Sequence, residues 1–220
     1  MSEQNVPIGA FIQRDKETYA IVPRTPVGLV TPELLENIAR VAKKYEIPII
    51  KITSAQRIAL VGMKPEIVDS VWEELGTGIG PAVGKCVHYV QACPGTAVCK
   101  YGILDSLGLG MRLEQLLVGI ELPAKGKIGV SGCPFCCAES FVRDFGVFGK
   151  RTGWTFIFGG NSGRNARIGD IIAENLTDDQ VVGLANKCLK YYRENAKPSE
   201  RTARFVQRIG IDEFKKAVLE

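Results

Sequence analysis

The chain has a single histidine, His88, and a lone imidazole cannot build a histidine metal site. It also lacks any uncharged apolar run near the roughly 18 residues that a membrane helix needs. The opening MSEQNVPIGAF has no basic-then-apolar pattern of a secretory signal. These absences set the expectation of a cytoplasmic protein with no membrane partner. Basic blocks are missing too. A net charge of +4 is spread over interleaved acids and bases, which gives no footprint for nucleic acid. A mild positive bias suits a small anionic substrate or cofactor instead. No GxGxxG follows a candidate strand, and no CxxCxxC run occurs.

Cysteine, by contrast, is plentiful. Seven in 220 residues is an odd number, and a disulfide framework does not suit a reducing compartment. Five of them, Cys93, Cys99, Cys133, Cys136 and Cys137, fall in two tight groups. Cys188 falls among Val181, Leu184, Ala185 and Tyr192 on one helix face, which reads as core packing. Cys86 opens an apolar strand.

The periodicity around these groups predicts an α+β chain of two domains, 1–77 and 78–220. ETYAIVPR reads as a strand. Thr31 and Pro32 then open a helix with an apolar stripe at Leu34, Leu35, Ile38, Val41, Ala42 and Tyr45. IIKIT and residues 56–61 read as strands, and residues 64–75 as a second amphipathic helix. That order is most of a ferredoxin-like unit. GTGIGPAVGK (76–85) marks the boundary. Beyond it, CVHYVQ, KIGVSG and GWTFIFGG read as strands, with a largely helical stretch to about residue 117. Thr177-Asp-Asp-Gln180 is a capping box for a helix to about residue 195, and two short helical segments follow.

The second cysteine group, SGCPFCCAES, admits several chemistries. Cys133-Pro-Phe-Cys136 has the spacing of a glutaredoxin redox pair, after a strand and before an expected helix. That reading leaves Cys93 and Cys99 unexplained. Four thiolates also suit tetrahedral zinc, although Cys-x5-Cys is wider than the usual pairs. A cubane iron–sulfur cluster needs about four convergent thiolates, and Cys93, Cys99, Cys133 and Cys137 offer two from each of two turns. Backbone N–H groups at helix starts there would bond the cluster sulfurs.

CPGTAVCKYGILDS followed by VSGCPFCCAES resembles the Cys-x5-Cys … Cys-x3-Cys signature of the sirohaem and [4Fe-4S] nitrite and sulfite reductases. The similarity continues through FGVFG, GWTFIFGGNSG and the helix after Thr177. KITSAQRIALVGM resembles the strand-turn-strand of the family's ferredoxin-like half. The fold so implied is a ferredoxin-like N-terminal domain followed by an α/β sirohaem/[4Fe-4S] domain. Position by position, the resemblance makes Cys93, Cys99, Cys133 and Cys137 the cluster ligands, with Cys137 bridging to the sirohaem iron and Cys136 a bystander.

Sirohaem carries eight carboxylates, so its pocket should be rich in cations and amides. Thr53, Gln56, Asn161, Arg164 and Arg167 are the candidate contacts. Lys85, Arg57 and Lys51 are the candidates for handling the substrate anion. Two departures bear on substrate preference and turnover. Phe135 and Cys136 precede Cys137 where the family commonly has asparagine and glycine, and Val22 stands where larger members have an arginine, with Arg24 close by. The implied activity is six-electron reduction of sulfite to sulfide. Nitrite reduction to ammonia is the alternative, and a non-catalytic iron–sulfur carrier or redox sensor a third. Electrons would come from a separate ferredoxin, flavoprotein or cytochrome. A chain with one copy of each domain could complete itself as a homodimer.

Overall fold

The computed structural model describes residues 6–220. It divides into two compact units, one running to Val83 and one from Gly84 to Glu220. The expected division at 77/78 falls inside the glycine-rich passage. Residues 78–81 stay with the first unit, where Arg24 and Gly80 donate backbone N–H groups to the Gly78 and Val22 carbonyls. Arg57 Nη1 donates to the Pro81 carbonyl at 2.7 Å.

In the first unit the elements are β1 (Ala10–Ile12), β2 (Tyr19–Ile21), α1 (Pro32–Lys44), β3 (Ile49–Ile52), β4 (Ile58–Met63) and α2 (Pro65–Leu75). The strands form an antiparallel sheet in the order β1-β2-β4-β3. Thr31 caps α1, its hydroxyl accepting the Leu34 N–H at 3.2 Å, and Pro32 takes the first turn, where no N–H is needed. Ile38, Val41 and Ala42 of α1 and Val68, Val71 and Leu75 of α2 pack onto Ile21, Leu60 and Met63 of the sheet. Burying each larger side chain contributes roughly 1.5–3 kcal/mol. Leu35, expected in the buried stripe, is exposed on α1. The short strand β1 completes the ferredoxin-like unit beyond the elements that periodicity revealed.

The second unit carries β5 (Val87–Ala92), α3 (Ser106–Leu117), β6 (Gly126–Ser131), β7 (Phe145–Lys150), β8 (Gly153–Phe158), β9 (Asp170–Leu176), α4 (Asp178–Asn195), α5 (Thr202–Ile209) and α6 (Ile211–Leu219). Its strands run in sequence order in one mixed sheet. β5, β6 and β7 are parallel, whereas β8 and β9 return antiparallel. The capping box at Thr177 is complete: its hydroxyl accepts the Gln180 N–H, and the Gln180 side chain accepts the Thr177 N–H at 2.8 Å. Phe145, Phe158, Tyr192, Phe205 and Phe214 form an aromatic core, with the Phe158 and Phe214 rings stacked at 4.3 Å. Cys188 lies buried on α4, and burial pushes its thiol pKa up. It is a core residue.

The two cysteine groups do not open α-helices. After Cys93 the chain makes only a 3-10 turn, Gly95–Ala97, and α3 begins at Ser106. After Cys137 there is again only a 3-10 turn, Ser140–Val142. Both groups are bends at the carboxyl ends of neighbouring parallel strands, β5 and β6.

Candidate active site at the cysteine bends

Glycine brings the bends together. Gly95 adopts φ +51°, and a Cβ there would lie 2.3 Å from Ser106 Oγ. A Cβ on Gly132 would lie 2.7 Å from Gly95 Cα, so the two backbones meet with no side chain between them. Gly132 then joins both bends. Its N–H donates to Cys93 Sγ at 3.1 Å, and its carbonyl accepts the N–H groups of Ile103 and Leu104 at 2.9 and 3.0 Å. Ser106 Oγ lies 3.3 Å from Cys93 Sγ and donates to the Cys93 carbonyl at 2.8 Å. Neither Ser106 nor Gly132 stood out in the sequence, because both depend on contacts between distant segments.

Cys93 and Cys133 are buried, Cys99 and Cys136 partly buried, and Cys137 exposed; none of the seven cysteines forms a disulfide. Cys136 has φ +52° in a tight turn, donating its N–H to the Cys133 carbonyl at 3.2 Å. Burial raises its thiol pKa to about 11, with further upward pushes from Cys133, Cys137 and Cys93. Among the described residues, no three His, Cys, Asp or Glu side chains converge as ligands of a single ion do. A cubane is a different case. It stands between its ligands, so two bends held side by side are what its donors require. Four thiols from those bends, with an N–H aimed at one of them, fit such a cluster.

The remaining candidates divide by unit. In the first, Thr53 closes the β3–β4 turn: its Oγ1 accepts the Ala55 and Arg57 N–H groups, both at 3.3 Å. Gln56 stands at φ +56° on that turn, and its Oε1 is buried without a hydrogen-bond partner. Lys51 lies on β3, all four residues of which are exposed, and its Nζ donates to the Ile52 carbonyl at 3.0 Å. Arg57 is buried against Pro81. An open strand edge with a lysine supplies a cation for the carboxylates of a large acidic macrocycle, whereas the orphaned Gln56 oxygen calls for a donor.

In the second unit, Lys85 is exposed just before β5. Asn161, Arg164 and Arg167 sit elsewhere. β8 runs antiparallel to β7, pairing Phe158 with Phe145, so the loop after β8 emerges at the amino ends of the parallel strands. The cysteine bends lie at their carboxyl ends, roughly 17 Å of strand away. The structure does not bring these three to the cysteines. Arg167 holds its own loop, donating to the Gly159 carbonyl at 2.9 Å and to Asp170 at 2.5 Å. Asn161 does likewise, donating to the Asn165 carbonyl at 2.7 Å. Arg164 lines a cavity of about 330 Å³ with Arg201 and Arg204.

Comparison with known proteins decides the family. The model of the nitrite/sulfite reductase ferredoxin-like half domain matches residues 11–77, and that of the nitrite and sulphite reductase 4Fe-4S domain matches residues 83–220. The chain belongs to the nitrite and sulphite reductase family. It is 57% identical over 213 residues to an assimilatory-type sulfite reductase of Nitratidesulfovibrio vulgaris, covering 97% of this chain and 98% of that one. It is 42% identical over 207 residues to a nitrite reductase [NAD(P)H] of Bacillus subtilis, covering 94% of this chain but only 26% of that protein. The fold is shared with dissimilatory sulfite reductase I, at a TM-score of 0.81 and 15% identity, over 91% of this chain and 69% of that one. The Mycobacterium tuberculosis NirA protein gives 0.79 and 16% identity, over 91% and 39%. The family's cofactors are a [4Fe-4S] cluster and sirohaem, as the sequence resemblance implied. Neither a glutaredoxin pair nor structural zinc is what this family builds from its cysteines.

Proposed function

We propose that this chain is a sirohaem-[4Fe-4S] sulfite reductase, reducing sulfite to sulfide with electrons from a separate protein. The observation that carries the reading is the junction of two cysteine bends through Gly132, at the carboxyl ends of β5 and β6. Near full-length identity to an assimilatory-type sulfite reductase supports sulfite over nitrite, since the nitrite reductases matched are larger proteins at lower identity. In this reading Cys93, Cys99, Cys133 and Cys137 would hold the cluster, and Cys137 would be the cysteine next to sirohaem.

When bound, the cluster and sirohaem supply stored electrons and an iron at which the sulfur oxyanion is reduced. The chain supplies the rest. Gly132 N–H donates to the Cys93 sulfur, and Ser106 fixes the bend that carries it. Lys51 and the Gln56 amide would meet acidic groups of the macrocycle. Lys85 and Lys51 would draw the anionic substrate, which a small positive net charge also favours. Arg57, bonded to Pro81, would act by holding the β3–β4 turn in place. Asn161, Arg164 and Arg167, at the far end of the sheet, would act on the fold of their loop.

The test is anaerobic purification with cofactor reconstitution, followed by spectra, iron and sulfide analysis, and steady-state assays with reduced methyl viologen. A Soret band and a larger kcat/KM on sulfite than on nitrite are expected. A larger value on nitrite overturns the substrate assignment. Iron–sulfur absorption with no tetrapyrrole after reconstitution makes the protein a carrier or sensor instead.

A further inference from the structure

The loop between β8 and β9 and the start of α5 enclose a cavity of about 330 Å³, at the opposite end of the sheet from the cysteine bends. Arg164 and Asn165 enter its wall from the loop, and Arg201, Arg204 and Gln207 from the helix. The loop is held in shape. Asn161 and Arg167 exchange backbone bonds at 2.9 and 2.8 Å across its neck, and Asn161 Oδ1 accepts the Gly163 N–H at 3.2 Å. Arg201 is fixed as well, because buried Asp144 accepts from its Nε and Nη2 at 3.0 and 2.6 Å. Its Nη1 takes no part in that pair and keeps its donors for a ligand.

Charge in this cavity is unbalanced. Among the described residues no carboxylate lines it, and neither Arg164 nor Arg204 is in an ion pair. The carboxylates beside these segments in the chain are already taken, Asp170 by Arg167 and Glu200 by Arg208. The start of α5 sharpens the imbalance. A helix start favours negative charge, yet α5 has Arg201 at its N-cap, Arg204 in its first turn, no side-chain cap and no acid. Cations gathered in one wall repel each other unless an anion stands between them.

We propose that this cavity binds a dianionic tetrahedral oxyanion, phosphate or sulfate, either free or at the end of a small ester. The proposal is independent of the sulfite reductase reading. Asp144 neutralises Arg201, so the uncompensated charges are those of Arg164 and Arg204, which match a dianion. A guanidinium fork bonds two oxygens of such a group at once, and the Asn165 and Gln207 amides offer neutral donors beside it. The α5 dipole adds to the attraction. Both Arg164 and Arg204 are exposed, one on the loop and one on the helix, so they can close on a ligand from two sides. A volume of this size lies at the low end of the range for small-molecule sites, which leaves room for the organic part of an ester.

The experiment is calorimetry on reconstituted holoprotein at low ionic strength, titrated separately with inorganic phosphate, inorganic sulfate and adenosine 5′-monophosphate. Saturable binding of at least one of them is expected, with a thermal midpoint that rises with its concentration. Tighter binding of the nucleotide identifies an ester as the ligand, and tighter binding of an inorganic ion identifies the free anion. Arg164→Ala and Arg204→Ala should each weaken binding roughly tenfold. Arg204→Lys should recover only part of that loss, because an ammonium cannot make the two-point contact. Arg151→Ala removes the same charge from the β7–β8 turn, at the other end of the sheet, and should leave binding unchanged. No saturable binding of any of the three anions overturns the proposal. Equal weakening by Arg151→Ala also overturns it, because diffuse surface charge would then account for the attraction. Binding that survives both alanine variants places the anion elsewhere, at the substrate's position for instance, and overturns it too.

Discussion

Gly132 donates its backbone N–H to the sulfur of Cys93 at 3.1 Å, tying together two bends that lie 39 residues apart in the chain. The contact exists because neither Gly132 nor Gly95 has a side chain. Gly132→Ala would put a Cβ 2.7 Å from Gly95 Cα and 2.8 Å from the Leu104 carbonyl, both rigid backbone atoms. Overpacking of this sort costs about 1–3 kcal/mol. The expected outcome is a lower urea midpoint in the apoprotein and less iron and sulfide bound per chain after reconstitution. Normal cluster loading in this variant would show that the bends need not touch.

The ligand set can be dissected by single serine substitutions. Replacing Cys93, Cys99, Cys133 or Cys137 should abolish or sharply reduce cluster loading, because each would leave one iron without a thiolate. Cys136→Ser should load normally, since the Cys136 backbone already has its role in the turn and its sulfur is spare. Iron and acid-labile sulfide, with electron paramagnetic resonance of the reduced protein, read the result. A cluster that survives in Cys137→Ser but fails in Cys136→Ser would exchange their roles.

What the sequence revealed about the fold was local. The Thr31 and Thr177 caps were legible because cap, helix and donor lie within four residues of one another. The clustering of five cysteines into two groups was legible in the sequence. Strand β7 was not, for its FGVFG core is short and glycine-rich, and β9 alternates poorly. Missing them hid the hairpin that carries Asn161, Arg164 and Arg167 to the far end of the sheet. Whether a strand runs parallel or antiparallel leaves no mark in hydropathy, so the sequence did not show at which end of the sheet these candidate sirohaem contacts lie. Leu35 had helical spacing with the core residues, yet it lies at the edge of the α1 stripe and faces out. The bond between Arg201 and Asp144 spans 57 residues, and no local pattern foretells it.

Glu74 is the hub of a surface network on the first unit. It accepts from Lys44, from Tyr45 Oη at 2.6 Å and from Arg40 at 3.0 Å. Those bonds, Lys44 first, hold its carboxyl at about 2, below its ordinary 4.5. A carboxylate depressed on folding contributes stability above its unfolded pKa and loses it as pH falls through the folded one. Acidification from about 4.5 toward 2 should therefore erode this contribution. Glu74→Gln should lower Tm near neutral pH, with the gap from wild type shrinking in acid and in high salt. Thermal melts across that range check it, and a pH-independent gap would assign the effect to packing.

Asp144 has the opposite setting, with its side chain fully buried in the second unit. It accepts from Arg201 Nε and Nη2 at 3.0 and 2.6 Å, from Thr202 Oγ1 at 2.7 Å and from the Lys127 N–H at 2.9 Å. One carboxylate thus joins the head of β7 to the start of α5 and to β6. Asp144→Ala would leave Arg201, the Thr202 hydroxyl and the Lys127 N–H without their acceptor at once. Breaking a buried pair from one side costs about 3–5 kcal/mol, much of it the stranded cation. Arg201→Met alone should cost less, because Asp144 keeps Thr202 and Lys127 as donors. The double variant should then cost less than the two single losses added together, since each removes the same contact. Urea unfolding of the apoproteins measures the cycle, and strict additivity would mean that Arg201 and Asp144 stabilise the fold independently.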